Sequence, residues 1–478
     1  MALTESQPLL RTEENSIDDG LADLDRPEQW SSAYRWSIVA LLAFQAFTVT
    51  FTAISVVPVA SHIVSDLNGS QGNPSDSVLL VTIWELGEAA GPLLIAPLSE
   101  VYGRYLVFNI GNILFISGIV LSALCRSVDL FILARFLTGL AVTSGVLNPA
   151  VIGDIFPAEE RGTAMSVVML APLLGGAIGP AVAGTIAQTA GWRRIIWMAL
   201  GLAVSCELAF LTMFRETYKV VLLKRNKRVL EAVECDDDES PVIKAVHETE
   251  SALWASIVRP ASVFTGSLVL QILSLYGSLV FTFFYIMSTT LPDILQNMYN
   301  FPPSLVGSSF LIFSVGSVFG LIVCNRLLDR IYKQARDAKA VKPPPEARLP
   351  LVIFGALIFP IIVALYGWSA QFVLPIPVML LIVGAMGFGL MLTMLPLTAY
   401  VVDAFGLYSA SALTGLLITR CLAGTFLPLI TAPLKEMIGW GWAFTVWAAA
   451  CAVLAPVPFL VWKYGKIWRQ RSEYTNDQ

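Results

Sequence analysis

The chain has 478 residues, of which 56% are hydrophobic and 14% charged, with a mean hydropathy of +0.71. A soluble domain carries about 25% charged residues, so the composition excludes an ordinary soluble protein and reads as a polytopic membrane protein. The net charge of −5 argues against a nucleic-acid partner, and six cysteines without metal-ligand or disulfide spacing argue against a metal site or a secreted disulfide scaffold.

Residues 1–35 are polar and acidic and are expected to form a disordered cytoplasmic segment, with no cleavable signal peptide. A membrane helix needs about 20 mostly apolar residues. Twelve such runs follow, at roughly 36–60, 78–99, 105–125, 130–153, 164–189, 194–213, 261–288, 304–324, 350–368, 377–402, 409–433 and 442–462. They are numbered here as spans 1 to 12. The hydrophilic stretch 214–260, with the run CDDDES, divides them into a half at 36–213 and a half at 261–462. Residues 463–478 form a short tail. The predicted fold is an all-α membrane protein with twelve transmembrane helices in two six-helix bundles.

Lysine and arginine set the orientation. With both termini in the cytoplasm, the cytoplasmic segments hold 24 Lys+Arg and the outside loops hold 4. This places the sequon Asn68-Gly69-Ser70 outside, as a candidate glycosylation site.

The halves are related. Gln45, Thr48 and Thr52 match Gln271, Ser274 and Ser278 at a constant offset of 226. Gly87, Gly91, Glu100 and Arg104 match Gly316, Gly320, Asp329 and Lys333 at offset 229. Gly176, Pro180, Gly191 and Trp192 match Gly424, Pro428, Gly439 and Trp440 at offset 248. Ordered offsets of this kind indicate a parallel internal repeat.

Ionisable residues lie inside the spans: Glu85 and Glu88 in span 2, Arg135 in span 4, Glu207 in span 6 and Arg420 in span 11. A charge at the centre of a membrane helix costs about 2.5–3.5 kcal/mol on insertion scales. Such groups should therefore face a cavity or a partner. Glu85 and Glu88, three apart, share a helix face. At 1.5 Å per residue, Glu85 lies about 10 Å deep, Arg135 about 8 Å and Glu88 about 15 Å. A Glu85–Arg135 pair is sterically feasible. A carboxylate balanced between burial and a guanidinium can take a proton from one side and release it to the other. Glu85 or Glu88 is the expected proton carrier, and the bland alternative is a permanently neutral inter-helix hydrogen bond. Glu207 carries a weaker functional reading. Arg420 is expected either to attract anionic groups or to hold span 11 against span 10.

Span 1 presents Gln45, Thr48, Thr52 and Ser55, and span 7 presents Gln271, Ser274, Ser278, Thr282 and Tyr285, each as one polar stripe on an apolar helix. Such stripes line a cavity or hold helices together. Asn148 in span 4 and Tyr276 in span 7 are further cavity candidates. A lining that is mostly uncharged, apolar and aromatic suits amphipathic or weakly charged organic substrates.

Several strings resemble the major facilitator superfamily. WELGEAAGPLLIAPLSEVYGR (84–104) is similar to its loop signature, with Glu100 at the acidic position and Gly103-Arg104 closing it, although Ala96 replaces a glycine. RFLTGL (135–140) is similar to its fourth-helix motif. GGAIGPAVAG (175–184) resembles its antiporter signature through Gly175, Gly179, Pro180 and Gly184, with Ala183 departing from it. RETY (215–218), PEARLP (345–350) and YVVD (400–403) resemble the fungal twelve-helix drug:proton antiporters. The resemblance covers about residues 30–465. It implies two pseudo-symmetric bundles, with spans 1, 4, 7 and 10 lining the cavity. It also implies a cytoplasmic charge latch of Glu100, Arg104, Asp154 and Arg161, with Asp329, Lys333 and Asp403 as second-half counterparts. For Gly175, Gly179, Pro180 and Gly184, tight packing is the simpler physical reading.

The expected function is proton-coupled antiport that exports small organic molecules by alternating access. The partners are a small-molecule substrate, protons and the lipid bilayer. No cofactor or metal is expected, and a monomer in the plasma membrane is. ESQPLL (5–10), similar to an acidic dileucine signal, would instead favour a vacuolar or endosomal membrane. The rivals are a proton-coupled nutrient importer and a non-transporting membrane sensor. An intramembrane enzyme is disfavoured, because no nucleophile–base constellation lies within the spans.

Overall fold

The computed structural model describes residues 27–68, 74–218, 221–222, 258–339, 344–472 and 474–475. ESQPLL, CDDDES and most of the expected N-terminal segment and central loop lie outside the described residues. The described elements are helical. Helices suit a chain this apolar, because each satisfies its backbone polar groups internally and needs no water.

Span 1 is Ser32–Ile54, continued after a turn at Pro58 by Ala60–Asn68. Span 2 is Pro74–Tyr102, span 3 Arg104–Leu124, and span 4 the pair Val128–Leu140 and Ser144–Ile155. Span 5 is Ala158–Ala190 and span 6 Trp192–Met213. In the second half, span 7 is Leu268–Asn297, span 8 Pro303–Lys339, span 9 Leu349–Gln371 and span 10 Ile376–Phe405. One helix runs Ser409–Leu454 and continues as Pro456–Arg469. At 1.5 Å per residue it would cross a bilayer core of about 30 Å roughly three times over. It is broken at Gly439, where φ is +77°, and this turn separates spans 11 and 12.

Several expected boundaries change. Span 7 begins at Leu268, because Gly266 ends a separate helix at 258–265 and the Ser267 hydroxyl caps the Leu270 N–H at 3.4 Å. Span 8 runs to Lys339, so much of the expected loop 325–349 is a polar extension of the helix. Span 12 continues beyond 462 to Arg469.

The internal repeat is visible in the packing. A Cβ at Gly87 would meet the Phe136 carbonyl of span 4, and one at Gly316 would meet Gly384 of span 10. Span 2 therefore seats on span 4 as span 8 seats on span 10. The paired turns at Gly191 and Gly439 have nearly the same backbone, φ +80° and +77°, a conformation open to glycine and costly for other residues.

The two halves meet near the face opposite the termini. The Thr425 hydroxyl donates to the Thr82 carbonyl at 3.3 Å, and the Gln296 amide to the Pro58 carbonyl at 3.4 Å. Gly184 of span 5 lies against the Pro303 carbonyl of span 8, and Gly307 of span 8 against the Pro180 carbonyl of span 5. On the terminal face the ion pairs Arg35–Glu160, Arg104–Asp154, Arg348–Asp403 and Arg469–Glu346 each join residues of a single half. The protein is thus held in a state sealed away from its termini.

Candidate functional site

At the seal, span 2 offers a carboxylate to span 7. Glu85 is 2% exposed and accepts a hydrogen bond from the Tyr285 hydroxyl at 2.6 Å. Its second oxygen is buried without a partner. Gly424 of span 11 leaves room beside that oxygen, and Cys421 and Arg420 are close enough to act on the carboxylate. The Arg420 guanidinium lies over the Phe281 ring at 4.2 Å, with its Nε buried and unpartnered. Glu88, one turn deeper on span 2, is half-buried. Glu85 from one half therefore meets a phenol from the other, with Glu88 and Arg420 close enough to act on it.

Arg135 departs from expectation. The Glu85–Arg135 pair is not formed. Arg135 is 2% exposed and donates to the carbonyls of Thr52 (3.0 Å), Ala53 (2.6 Å) and Leu80 (3.4 Å), while its guanidinium covers the Trp84 ring at 4.6 Å. The reason lies in span 1. Its first helix ends at Ile54, ahead of Pro58, so the carbonyls of its last turn have no partner in that helix. Arg135 supplies the missing donors.

The polar stripe of span 1 also turns away from the junction. The Gln45 amide donates to Asn112 at 2.8 Å and to Thr143 at 2.9 Å, and Asn112 donates to Glu207 at 2.8 Å. Thr48 and Thr52 bond back to the carbonyls of Phe44 and Thr48, and each lines a small internal void of its own half. The Asn148 amide reaches the Leu42 carbonyl at 3.3 Å. Gln45 and Asn148 thus tie helices of the first half together, Glu207 belongs to the same network, and Thr48 and Thr52 are satisfied within their own helix. In span 7, Gln271 donates to the carbonyls of Phe264 and Thr265 and so caps the preceding helix. Tyr276 is buried beside Thr393. Ser274 and Ser278 are buried with hydroxyls that have no partner. Of the expected lining residues, Tyr285 and Arg420 are the ones brought to the junction of the halves.

The glycine-rich string of span 5 has two contacts. Gly175 and Gly179 lie on the Phe47 and Phe51 backbone of span 1, while Pro180 and Gly184 meet span 8. Asn68 is exposed at the end of its helix, and the rest of its sequon lies outside the described residues.

The family profile described as Major Facilitator Superfamily matches residues 38–428. The chain belongs to the major facilitator superfamily. The efflux pump radE of Floropilus chiversii is 32% identical over 96% of this chain and 86% of its own length. The MFS transporter cpaT of Aspergillus oryzae is 31% identical over 95% of this chain and 92% of its own. Among solved structures, the xylose transporter XylE of E. coli in a partially occluded inward-open conformation superposes with a TM-score of 0.67 at 17% identity, covering 91% of this chain and 98% of that one. These are transporters rather than enzymes, and this chain is a multi-pass transporter of their fungal efflux branch.

On the terminal face of this transporter, Arg104 is buried against Asp154 at 3.5 Å, bonds the Ser99 hydroxyl and lies over the Tyr218 ring at 4.8 Å. Glu100 is exposed. Burial pushes the Tyr218 phenol up, Glu100 reinforces this and Arg104 opposes it. Arg161 does not join this cluster. It donates to the carbonyls of Phe156 and Gly153, both at 2.8 Å, and so caps the end of span 4. In the second half Arg348 pairs with Asp403 at 2.9 Å. Asp329 and Lys333 lie on the span 8 backbone, but their side chains fall outside the described residues. Of the expected latch, Arg104 and Asp154 are paired with each other, while Asp403 pairs with Arg348, each within its own half.

Sequence reasoning assigned no role to Glu216 in RETY or Glu346 in PEARLP. Glu216 accepts the backbone N–H of Arg104 at 2.9 Å and of Tyr105 at 3.1 Å, capping span 3. Thr217 donates to Asp154 at 3.1 Å. Glu346 at the start of span 9 pairs with Arg469 at the end of span 12, at 2.9 and 3.2 Å. Each string thus fastens a chain end to a helix start within its own half, Glu216 through the backbone amides of span 3 and Glu346 through the Arg469 side chain. No local spacing announces a cap whose donor and acceptor are 112 residues apart.

Proposed function

We propose that this transporter is a proton-coupled antiporter that exports small organic molecules such as drugs, toxins or secondary metabolites. The observation that carries the reading is Glu85, buried at the junction and bonded across it by Tyr285. A charged carboxylate accepts that hydrogen bond strongly and attracts Arg420, whereas a protonated one does neither as well. Protonation and half-to-half contact therefore become one linked equilibrium, which is what coupling requires. Glu88, half-buried one turn deeper, offers the proton its next station toward the open side. Substrate occupies the space on that side, where Arg420 with Phe281 and the aromatic rings around Tyr285 suit an amphipathic molecule. Export is supported by the efflux pump among the relatives and by the glycine-rich string of span 5. The lysine and arginine bias supports cytoplasmic termini, and the protein acts as a monomer in the plasma membrane.

The test is proton flux in proteoliposomes with a pH dye, across cationic, neutral and anionic drugs. Protons should move opposite to a transported drug. Glu85→Gln and Glu88→Gln should each remove coupled flux while the protein still inserts. Full coupling in both variants would end the assignment, and flux in the same direction as the drug would make the protein an importer.

A further inference from the structure

A second cavity lies on the other side of the seal. It has a volume of about 420 Å³ and opens onto the face opposite the termini, within the range of about 300–1,000 Å³ typical of small-molecule sites. Its walls come from both halves: Ser61 and Val81 from spans 1 and 2, and Thr289, Asp293, Thr431 and Glu436 from spans 7 and 11. Val81 and Thr289 each stand one helical turn from the Glu85–Tyr285 bond, so the cavity ends about one turn short of it. Glu85, Tyr285 and Arg420 of the central cluster are not among its walls.

Two features equip the vestibule for a ligand. Thr431 is 2% exposed, lines the cavity, and its hydroxyl has no hydrogen-bond partner. A buried unsatisfied hydroxyl costs free energy that an occupant with a polar group would recover. The charge is also biased. Asp293 is neutralised by its ion pair with Lys435, which leaves the exposed Glu436 carboxylate as the net charge of the wall. We propose that the vestibule is a binding site for small organic cations, an ammonium group facing Glu436 and a hydrogen-bonding group meeting Thr431. Because its walls belong to opposite halves, opening this face pulls the site apart. An occupant therefore binds the sealed state selectively and holds it. The proposal needs the chain to alternate between states, but it does not need protons to be the coupling ion.

The experiment uses the full-length protein with Ser61→Cys as a reporter in the wall, and Thr289→Cys as a second reporter in case the first does not fold. The unsubstituted protein supplies the baseline for the native cysteines. The thiol is modified by the neutral reagent methyl methanethiosulfonate in the presence of phenethylammonium, 2-phenylethanol or 3-phenylpropionate, three probes of similar size and different charge. Phenethylammonium should slow the modification saturably and the other two should not. Glu436→Gln should raise its half-protecting concentration about tenfold, equivalent to roughly 1.4 kcal/mol. Absence of protection by phenethylammonium, or equal protection by phenylpropionate, would overturn the site. Proton flux is not read, so failure of the antiport assignment would leave this result standing, and the reverse also holds.

Discussion

Two arginines inside the spans, Arg135 buried and Arg420 half-buried, have opposite environments. Each nitrogen of the Arg135 guanidinium donates to a carbonyl of its own half, whereas Arg420 lies at the junction with Nε unpartnered. Removing Arg135 would strand the buried carbonyls of Thr52 and Ala53, each costing about 1–3 kcal/mol. Arg135→Leu should therefore reduce the yield of folded, detergent-stable protein. Arg420→Leu should leave the yield near normal and lower transport, a contrast readable by size-exclusion chromatography beside an export assay. Tyr285→Phe removes the hydroxyl that donates to Glu85. A hydrogen bond to a charged group is worth about 1.5–3 kcal/mol, so this variant should weaken the seal and change the pH dependence of transport, while the conservative ring keeps the packing. An unchanged pH profile would separate Tyr285 from coupling.

Among the elements, the joints matter more than the helices themselves. Glu216 gives span 3 a cap that its own N-terminus lacks, since Gly103 has no side chain to provide one. Loss of a helix cap costs about 1 kcal/mol. Glu216→Ala should lower the melting temperature without changing substrate selectivity, as thermal unfolding in detergent would show. Spans 5 and 8 meet through Gly184 and Gly307 with no room for a side chain. Overpacking such a contact costs about 1–3 kcal/mol, enough to shift a two-state equilibrium roughly 5–150-fold. Gly307→Val should move the population away from the sealed state and make a cysteine at Ser61 more reactive from the face opposite the termini. Unchanged reactivity would mean that this contact does not set the balance.

Among the described residues, the hydrogen bonds and glycine contacts between halves gather at one face and the ion pairs of the other face stay within their own halves. That asymmetry is what alternating access needs, since a rocking motion only has to exchange which face carries the contacts. Orientation in the cell can be read at Asn68. If the face opposite the termini is extracellular, a glycosidase-sensitive mass shift should disappear in Asn68→Gln, and an N-terminal epitope should be reached only after cells are permeabilised. An epitope accessible on intact cells would reverse the topology.

The amino-acid sequence by itself determined twelve spans, two related halves and the family. Those properties depend on composition and on patterns a few residues long, such as apolar runs about 20 residues in length and glycine pairs four apart at matching offsets. It also marked Glu85, Glu88 and Arg420 as unusual, because a charge in an apolar run is costly wherever it points. The direction in which a side chain points was decided by the tertiary structure. Gln45 and Tyr285 both sit on polar stripes of apolar helices, yet one faces the interior of its own bundle and the other crosses to the opposite half. Arg135 was drawn to carbonyls freed by a break in span 1, and Glu216 to the amides of a helix that starts 112 residues earlier. A helical stripe fixes which residues share a face, but only the packing of twelve helices fixes what that face meets.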